Sequence, residues 1–591
     1  MDKQTHLERF LQWRVKHISD NQFMLILSVV IGLLVGLAAV VIKNSVHFIK
    51  HLLTSGFATQ YQNYLYFVYP AIGILGAVLF IKYVVKQRVG HGIPSVLYAK
   101  SKTNGLIKPH IIYSSVVTSA LTVGFGGSVG LEGPTVATGA AIGSNLGRVL
   151  HLNYKQITSL LGFACAGAMA AIFKAPIAAI VFALEVIMLD LTMSALVPLL
   201  TASVTAALTS YFMFGMQVLY TFKIKDDFLL TDVPYFILFG ILAGLVSVYF
   251  TKIYMSFGRV FDKIKTWYVK LIIGGTTLGI MIFFFPSLYG EGYEAVNSCL
   301  SGDYSYVYDN SIFYTYKDNL FIITVLILAI VLLKVIATSV TFGSGGIGGI
   351  FAPSLFMGAN TGLFFAKATN FMNLGNISEN NFALVGMAGL IAGVIHAPLT
   401  AIFLIAEITG GYALFMPLMI VATISYGTAK LFTPNSVYTI QLAKRGELLT
   451  HHKDKALLAL MKIDSLIETN FTIIKPDATL RDLVKAISNS QRNIFPVVDQ
   501  KNNFRGIIIM DQVRHIMFNP ELYDTTFVRN LMFTPTNIVD IHDSMEVVAG
   551  KFQHSGKFNL AVVDEGKYIG FVSRANVFSK YRELLKDFSE H

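Results

Sequence analysis

Charge is what this 591-residue chain has least of: only 14% of its residues are Asp, Glu, Lys or Arg, against roughly 25% in a soluble globular protein. Cysteine is nearly absent as well. Cys165 and Cys299 are too few and too far apart in sequence to suggest a disulfide framework or a zinc site. Packing is their expected role, and no metal centre is expected. No early apolar segment ends in a small-residue cleavage site, so the first apolar helix is expected to be an anchor rather than a removable leader. The net charge of +11 is spread over short loops, which speaks for membrane topology and against a nucleic-acid partner.

Apolar sequence takes the place of charge: 54% of residues are hydrophobic and mean hydropathy is +0.59. Uncharged runs at 23–42, 234–251, 320–333 and 335–366 approach or exceed the ~20 residues that cross a bilayer. The first expectation is therefore a multi-pass membrane protein. Basic residues in short loops orient it. Residues 82–108 hold Lys82, Lys86, Arg88, Lys100, Lys102 and Lys108 with no acid, and 252–270 are also basic. Residues 286–318 hold Glu291, Glu294, Asp303, Asp309 and Asp318 against Lys317. The first two loops are expected in the cytoplasm and the third outside. Arg9, Arg14 and Lys16 at one end, and Lys444 and Arg445 before the tail, place both termini in the cytoplasm of a cell (inner or plasma) membrane. Beyond Lys444 charges become frequent and strand-like runs appear ("IFPVVD", "GIIIM", "LAVVDE", "YIGFVS"). A soluble α/β module is expected there. The resulting division is a cytoplasmic segment 1–20, a membrane domain 21–443 and a tail module 455–591.

The membrane part repeats itself. "AAIFKAPIAAIVFALEV" at 170–186 aligns with "AGVIHAPLTAIFLIAEI" at 392–408, an offset of 222 that pairs Pro176 with Pro398 and Glu185 with Glu407. Upstream, an offset of 219 pairs Gly126, Gly127, Gly130, Pro134, Gly139 and Gly143 with Gly345, Gly346, Gly349, Pro353, Gly358 and Gly362. Two halves are expected, near 21–220 and 233–443. Glycine and proline interruptions at matching places in two halves point to broken helices meeting near the bilayer midplane. A Gly-rich turn leading into proline at a helix start leaves free N–H groups and the positive end of the helix dipole facing an anion. Helix packing through small residues accounts for many of the other glycines.

Within this anion-binding pattern stands one carboxylate. Between Lys108 and Arg148 the only acidic or basic residue, His110 aside, is Glu132, in "GFGGSVGLEGPTV". A glutamate at an anion-binding helix start is itself an anion and competes for the site; once protonated it loses its charge and leaves. Intramembrane carboxylates are functional by default, so Glu132 is expected to be both gate and proton carrier rather than a structurally paired acid.

Over nearly its whole length the sequence resembles the CLC chloride channels and chloride/proton exchangers. "GHGIP" at 90–94, "GLEGP" at 130–134, "GIFAP" at 349–353 and "NSVYTIQLA" at 435–443 match that family's motifs in order and spacing. The resemblance implies an all-α polytopic membrane fold, an inverted repeat of tilted and often incomplete helices, with one pore in each subunit of a homodimer. It implies that Glu132 is the gating glutamate, that backbone amides at Gly92, Ile93, Ile350 and Phe351 contact the anion, and that Tyr438 offers it a hydroxyl. Chloride, other small anions and protons are the implied ligands, and no cofactor is required by the pore.

Two positions depart from the pattern. His91 stands where the family usually has serine, and an imidazole there either coordinates the anion or turns aside toward the cytoplasm. Val186 stands where exchangers carry their inner proton-transfer glutamate, and valine carries no proton. Glu185 remains beside it, but its repeat mate Glu407 suggests a structural role in both halves. The sequence leans toward channel-like or weakly proton-coupled chloride transport, with stoichiometric exchange by another proton route as the alternative.

The tail also contains a duplication, "IFPVVDQKNNFRGIIIMDQV" from 494 and "FNLAVVDEGKYIGFVSRANV" from 558. It resembles a tandem pair of CBS domains, which implies a possible adenine-nucleotide site. Ser573 and Asn576 approximate the ribose-binding pair in the second copy, whereas Ile509 and Gln512 do not in the first. A dimerisation module is the other reading. A magnesium transporter would need several convergent carboxylates, and an intramembrane enzyme would need a partner for Glu132 such as His396 or Lys174. The chain supplies neither pattern, and no enzymatic activity is expected.

Overall fold

The structure, a computed structural model, describes the chain except for residues 1–5, 55–57, 88, 91, 104, 188–192, 216–219, 221–227, 310, 413, 441–442, 444–457, 459–460 and 590–591. It divides into two compact units, Met1–Leu448 and Leu449–His591.

An apolar solvent leaves backbone N–H and C=O groups no partner but each other, and the helix satisfies them within one segment. The first unit accordingly runs through α1 (His6–His17), α2 (Asp20–Thr54), α3 (Ala58–Leu79), α4 (Ile93–Lys102), α5 (Ile111–Gly124), α6 (Glu132–Val149), α7 (Tyr154–Phe173), α8 (Pro176–Glu185) and α9 (Met193–Phe214). A second series follows: α10 (Val233–Lys263), α11 (Trp267–Phe284), α12 (Tyr293–Ser301), α13 (Ser305–Tyr308), α14 (Leu320–Gly343), α15 (Phe351–Phe371), α16 (Glu379–Ile395), α17 (Pro398–Ile408) and α18 (Phe415–Phe432). Among the described residues, eight helices are long and apolar enough to cross a membrane. Others stop short. α8 has 10 residues and α17 has 11, so at ~1.5 Å per residue each covers about half of the ~30 Å hydrocarbon core.

The two series pack in the same pattern. α2 lies against α7 and α9 as α10 lies against α16 and α18, and α6 packs on α7 as α15 packs on α16. Small residues make the last pair of contacts possible. A Cβ on Gly143 would stand 2.6 Å from the carbonyl oxygen of Leu160, and one on Gly362 would stand 1.8 Å from that of Phe382. Gly143 and Gly362 are equivalent at the offset of 219, Leu160 and Phe382 at the offset of 222. The step of three between the offsets has a simple origin. Four residues (150–153) join α6 to α7, whereas seven (372–378) join α15 to α16.

Glu185 and Glu407 tie the halves together. Glu185, the last residue of α8, accepts hydrogen bonds at the start of α17 from the N–H groups of Leu399 (3.2 Å) and Thr400 (2.8 Å) and from the Thr400 hydroxyl (2.7 Å). Glu407, near the end of α17, accepts from the N–H groups of Ile177 (3.2 Å) and Ala178 (2.7 Å) at the start of α8. Each short helix thus caps the other's unpaired N–H groups with a carboxylate, which its dipole favours.

The second unit contains a four-stranded sheet in the order β1 (Ile467–Glu468), β6 (Lys567–Ser573), β5 (Asn559–Asp564), β4 (Val539–Asp540), and a separate hairpin of β2 (Ile494–Val498) and β3 (Phe504–Ile509). The duplication is visible in the register. β2–β3 and β5–β6 are both antiparallel, with an irregularity between Val497 and Val498 and again between Val562 and Val563. Val498 and Ile507 from one copy share a core with Ala561, Tyr568 and Phe571 from the other.

Because Glu407 accepts from two N–H groups at a helix start, Glu407→Ala should lower stability by about 1–3 kcal/mol. Glu185→Ala should do the same, while the Gln variants, which keep an acceptor oxygen, should lose less. Thermal unfolding of the purified protein in detergent measures this; equal losses for Ala and Gln would show that capping is not the role of these carboxylates.

Candidate functional site

The site begins with two glycine turns that meet. The N–H of Gly130 donates to the carbonyl of Gly349 (2.9 Å), and the N–H of Gly349 donates back to the carbonyl of Gly130 (2.7 Å). Equivalent residues paired antiparallel in this way lie on a local two-fold axis. Further rungs obey the same symmetry: Ser128 N–H donates to the Thr341 hydroxyl (3.2 Å), and Ile347 N–H donates to the Thr122 hydroxyl (3.1 Å). The turns run directly into α6 and α15, whose starts are thereby held side by side.

Glu132, the first residue of α6, is fully buried. Its carboxylate folds back over the turns. A Cβ on Gly130 would lie 2.0 Å from Glu132 Oε2, and one on Gly349 would lie 3.0 Å from the same oxygen. Only glycine at 130 leaves that space. Tyr293, which opens α12, donates its hydroxyl to Glu132 Oε1 at 2.7 Å. Oε2 has no hydrogen bond of ordinary geometry, while the N–H groups of Glu132 and Ala352 lie close enough to stabilise its charge. The carboxylate therefore lies beside the starts of two helices, where N–H groups and the helix dipoles favour a negative charge.

The other residues singled out from the sequence converge here unequally. Gly92 caps the start of α4 with φ 60, and a Cβ there would lie 2.8 Å from Gly133 Cα. The first motif thus abuts the turn that leads into α6, with Ile93 buried behind it. His91 lies outside the described residues. Ile350 is the N-cap of α15 and Phe351 its first residue. The Phe351 ring is fully buried against Phe173 and Phe182, both with centroids at 5.9 Å. Tyr438 is buried, its hydroxyl meets no hydrogen-bond partner among the described residues, and it interacts electrostatically with Glu132. Val186 is a buried apolar residue at the end of α8, and its neighbour Glu185 is committed to the start of α17.

In the tail, Asn576 donates its side chain to Glu468 (2.8 Å) and its N–H to the Ser573 hydroxyl (3.2 Å). Glu468 also pairs with Arg492 at 2.9 Å. The two candidate ribose-binding residues are adjacent, but Asn576 already has a carboxylate partner.

Sequence reasoning missed Tyr293, Glu291, Lys43 and Lys334. Glu291 accepts from the Leu131 N–H at 3.3 Å, one residue before Glu132. Lys43 donates to the Ile172 carbonyl at 3.1 Å and interacts electrostatically with both Glu132 and Glu291. Lys334 is fully buried and donates to the carbonyls of Leu288 (3.4 Å) and Gly290 (3.0 Å). One signal was present: Lys334 is the only charged residue between Leu320 and Ala366. For Tyr293 and Glu291 there was none beyond an acidic loop.

Comparison with known proteins agrees with this architecture. The family model for the voltage gated chloride channel matches residues 72–430, and the CBS domain model matches 463–519 and 528–583. The chain is 28% identical over 433 residues to the H(+)/Cl(-) exchange transporter ClcA of Vibrio campbellii, a match covering 70% of this chain and 88% of that one. It is also 28% identical over 381 residues to the putative chloride channel protein ClcB-like of Ralstonia nicotianae, covering 64% and 85%. Among solved structures, a slow cyanobacterial Cl-/H+ antiporter shares the fold with a TM-score of 0.59 at 23% identity, over 71% of this chain and 97% of that one. A eukaryotic CLC transporter also gives 0.59, at 16% identity, over 94% and 97%. With a model match over more than half its length, two opposed glycine turns at its centre and a duplicated α/β tail, the chain belongs to the voltage-gated chloride channel family, a family of membrane transport proteins and not of enzymes, and carries two CBS domains at its C-terminal end.

Proposed function

We propose that this protein moves chloride across a membrane through a pore in each subunit of a homodimer, and that Glu132 is the gate. The observation that carries the reading is the Glu132 carboxylate folded over Gly130 and Gly349, between the starts of α6 and α15. A negative charge held there competes with chloride for the same N–H groups. Protonation removes the competition, and the side chain yields. Backbone N–H groups at Gly92, Ile93, Ile350 and Phe351 and the hydroxyl of Tyr438 are the proposed anion contacts, and other small anions are proposed to enter the same site. The acidic loop before α14 is taken as external and both termini as cytoplasmic, by the distribution of Lys and Arg.

Transport is proposed to be channel-like or weakly coupled to protons. Proton exchange needs a protonatable station between the cytoplasm and Glu132. Val186 offers none, and Glu185 is held by three hydrogen bonds at the start of α17. The second reading, stoichiometric exchange, is favoured by the similarity to the H(+)/Cl(-) exchange transporter of Vibrio and would require another route, with His91 as the candidate station. The tail is proposed as a regulatory or dimerising module. An adenine nucleotide at its second copy would have to draw Asn576 away from Glu468.

Three measurements test these points. Glu132→Gln should give chloride efflux from liposomes that no longer depends on external pH; retention of the wild-type pH dependence would remove Glu132 as the gate. An outward chloride gradient in sealed vesicles should move chloride without driving protons uphill. Uphill proton movement would establish exchange, and its loss in His91→Ser would locate the station. Truncation after Arg445 should leave a dimer that still conducts, since every pore residue named above lies before it; a correctly assembled but silent truncation would make the tail part of the conducting unit.

A further inference from the structure

The segment leading into α12 is fastened to the gating turn at several points. The N–H of Gly290 donates to the carbonyl of Gly126 (3.1 Å), and the Ser128 hydroxyl donates to the carbonyl of Leu288 (2.7 Å). Lys334 holds the carbonyls of Leu288 and Gly290 from the other side (3.4 and 3.0 Å). Gly292 has φ 85, and a Cβ there would lie 2.6 Å from the Phe356 ring of α15. The backbone of 288–292 is thus fixed between the two halves before it presents two side chains to the start of α6. Glu291 Oε1 accepts from the N–H of Leu131 (3.3 Å), and the Tyr293 hydroxyl donates to Glu132 Oε1 (2.7 Å). The Tyr293 ring is steadied by Tyr220 in an edge contact at 5.8 Å.

We propose that residues 291–293 form a latch on the start of α6, with Tyr293 as the positioning residue that holds Glu132 over the two glycine turns, and that this latch sets the external pH at which chloride flux begins. The inference rests on the reading of Glu132 as the gate. Among the described residues, the charged and titratable groups facing Glu132 are Lys43 on α2, Tyr220 before α10, Glu291 and Tyr293 at the start of α12, and Tyr438 after α18. Two of them act on Glu132 with opposite sign. A hydroxyl donating to a carboxylate favours its ionised form, whereas a neighbouring carboxylate disfavours it. The phenol therefore keeps Glu132 charged and seated, while Glu291, wherever it is itself ionised, opposes it and makes release possible at a less acidic pH.

The test is chloride efflux from liposomes measured across external pH for the full-length wild type, Tyr293→Phe, Glu291→Gln, Glu132→Gln and the double variant Tyr293→Phe/Glu132→Gln. Tyr293→Phe keeps the ring that packs on Tyr220 and removes only the donor. Its flux midpoint should move to higher pH by roughly one unit or more, the size of one hydrogen bond to a charged group, with the acid plateau unchanged. Glu291→Gln keeps an oxygen for the Leu131 N–H and removes the charge, so its midpoint should move to lower pH. The double variant should match Glu132→Gln, flat in pH. If Glu132→Gln is flat but both single latch variants keep the wild-type midpoint, or move it in the same direction, the latch is overturned and the gate stands. If the double variant differs from Glu132→Gln in its pH response, Tyr293 acts elsewhere and the latch is overturned. If Glu132→Gln keeps the wild-type pH response, the gate reading falls and the latch with it. Should Tyr293→Phe not assemble, as judged by its elution profile, the direction of the Glu291→Gln shift decides.

Discussion

Two hydrogen bonds between Gly130 and Gly349 carry the geometry on which everything else in the membrane unit depends. They are reciprocal, so they force the two glycine turns into a symmetric antiparallel contact. That contact leaves no room for side chains: a Cβ at Gly349 would lie 2.7 Å from the Gly133 nitrogen. The starts of α6 and α15 are brought together because the turns that precede them are paired. The threonine rungs at Thr122 and Thr341 repeat the constraint one layer away. A membrane helix has no hydrophobic reason to associate with another in lipid, so close packing and interhelical hydrogen bonds must do it. This junction uses both.

The same symmetry is applied twice to different ends. At the glycine turns the helix starts are met by the carboxylates of Glu132 and Glu291. At α8 and α17 the starts are stopped permanently, each by the other half's glutamate. The contrast separates two roles for an intramembrane acid that look alike in sequence. Glu185 and Glu407 each meet two backbone N–H groups, and are fixed by them. Glu132 has one oxygen on a phenol and one without an ordinary partner.

Much of this was legible in the sequence because the repeat is written in residues that cannot be replaced. The offset of 219 paired Gly130 with Gly349, and the offset of 222 paired Glu185 with Glu407; the structure bonds the two glycines to each other and sets each glutamate on the helix start of the other half, and the change of offset falls in the loops that follow α6 and α15. The lone carboxylate in the Gly-rich segment marked the centre of the site. The partners of Glu132 were not legible. Tyr293 lies 161 positions away, in a loop read only for its acidic balance, and the first half has no marked counterpart to it. A hydrogen bond between a tyrosine and a distant glutamate leaves no period, spacing or composition to read. Val186 is the converse case, since its meaning comes from what the family places there rather than from any contact that it makes.

If Glu132 is the gate, as proposed, the charges around it bear on how the gate and the anion would share one place. Lys43 faces both Glu132 and Glu291, and Lys334 faces Glu291, while each ammonium is also anchored on backbone carbonyls. Bound this way, neither lysine can follow a carboxylate that moves. When Glu132 takes a proton, the surroundings become more positive by one unit at the point its oxygen had filled. A chloride entering there restores the balance that the carboxylate had supplied, and meets the same helix starts. On this reading protonation and anion entry are parts of one electrostatic exchange. On the proposed reading one side chain leaves the paired glycine turns and one ion of the same charge replaces it.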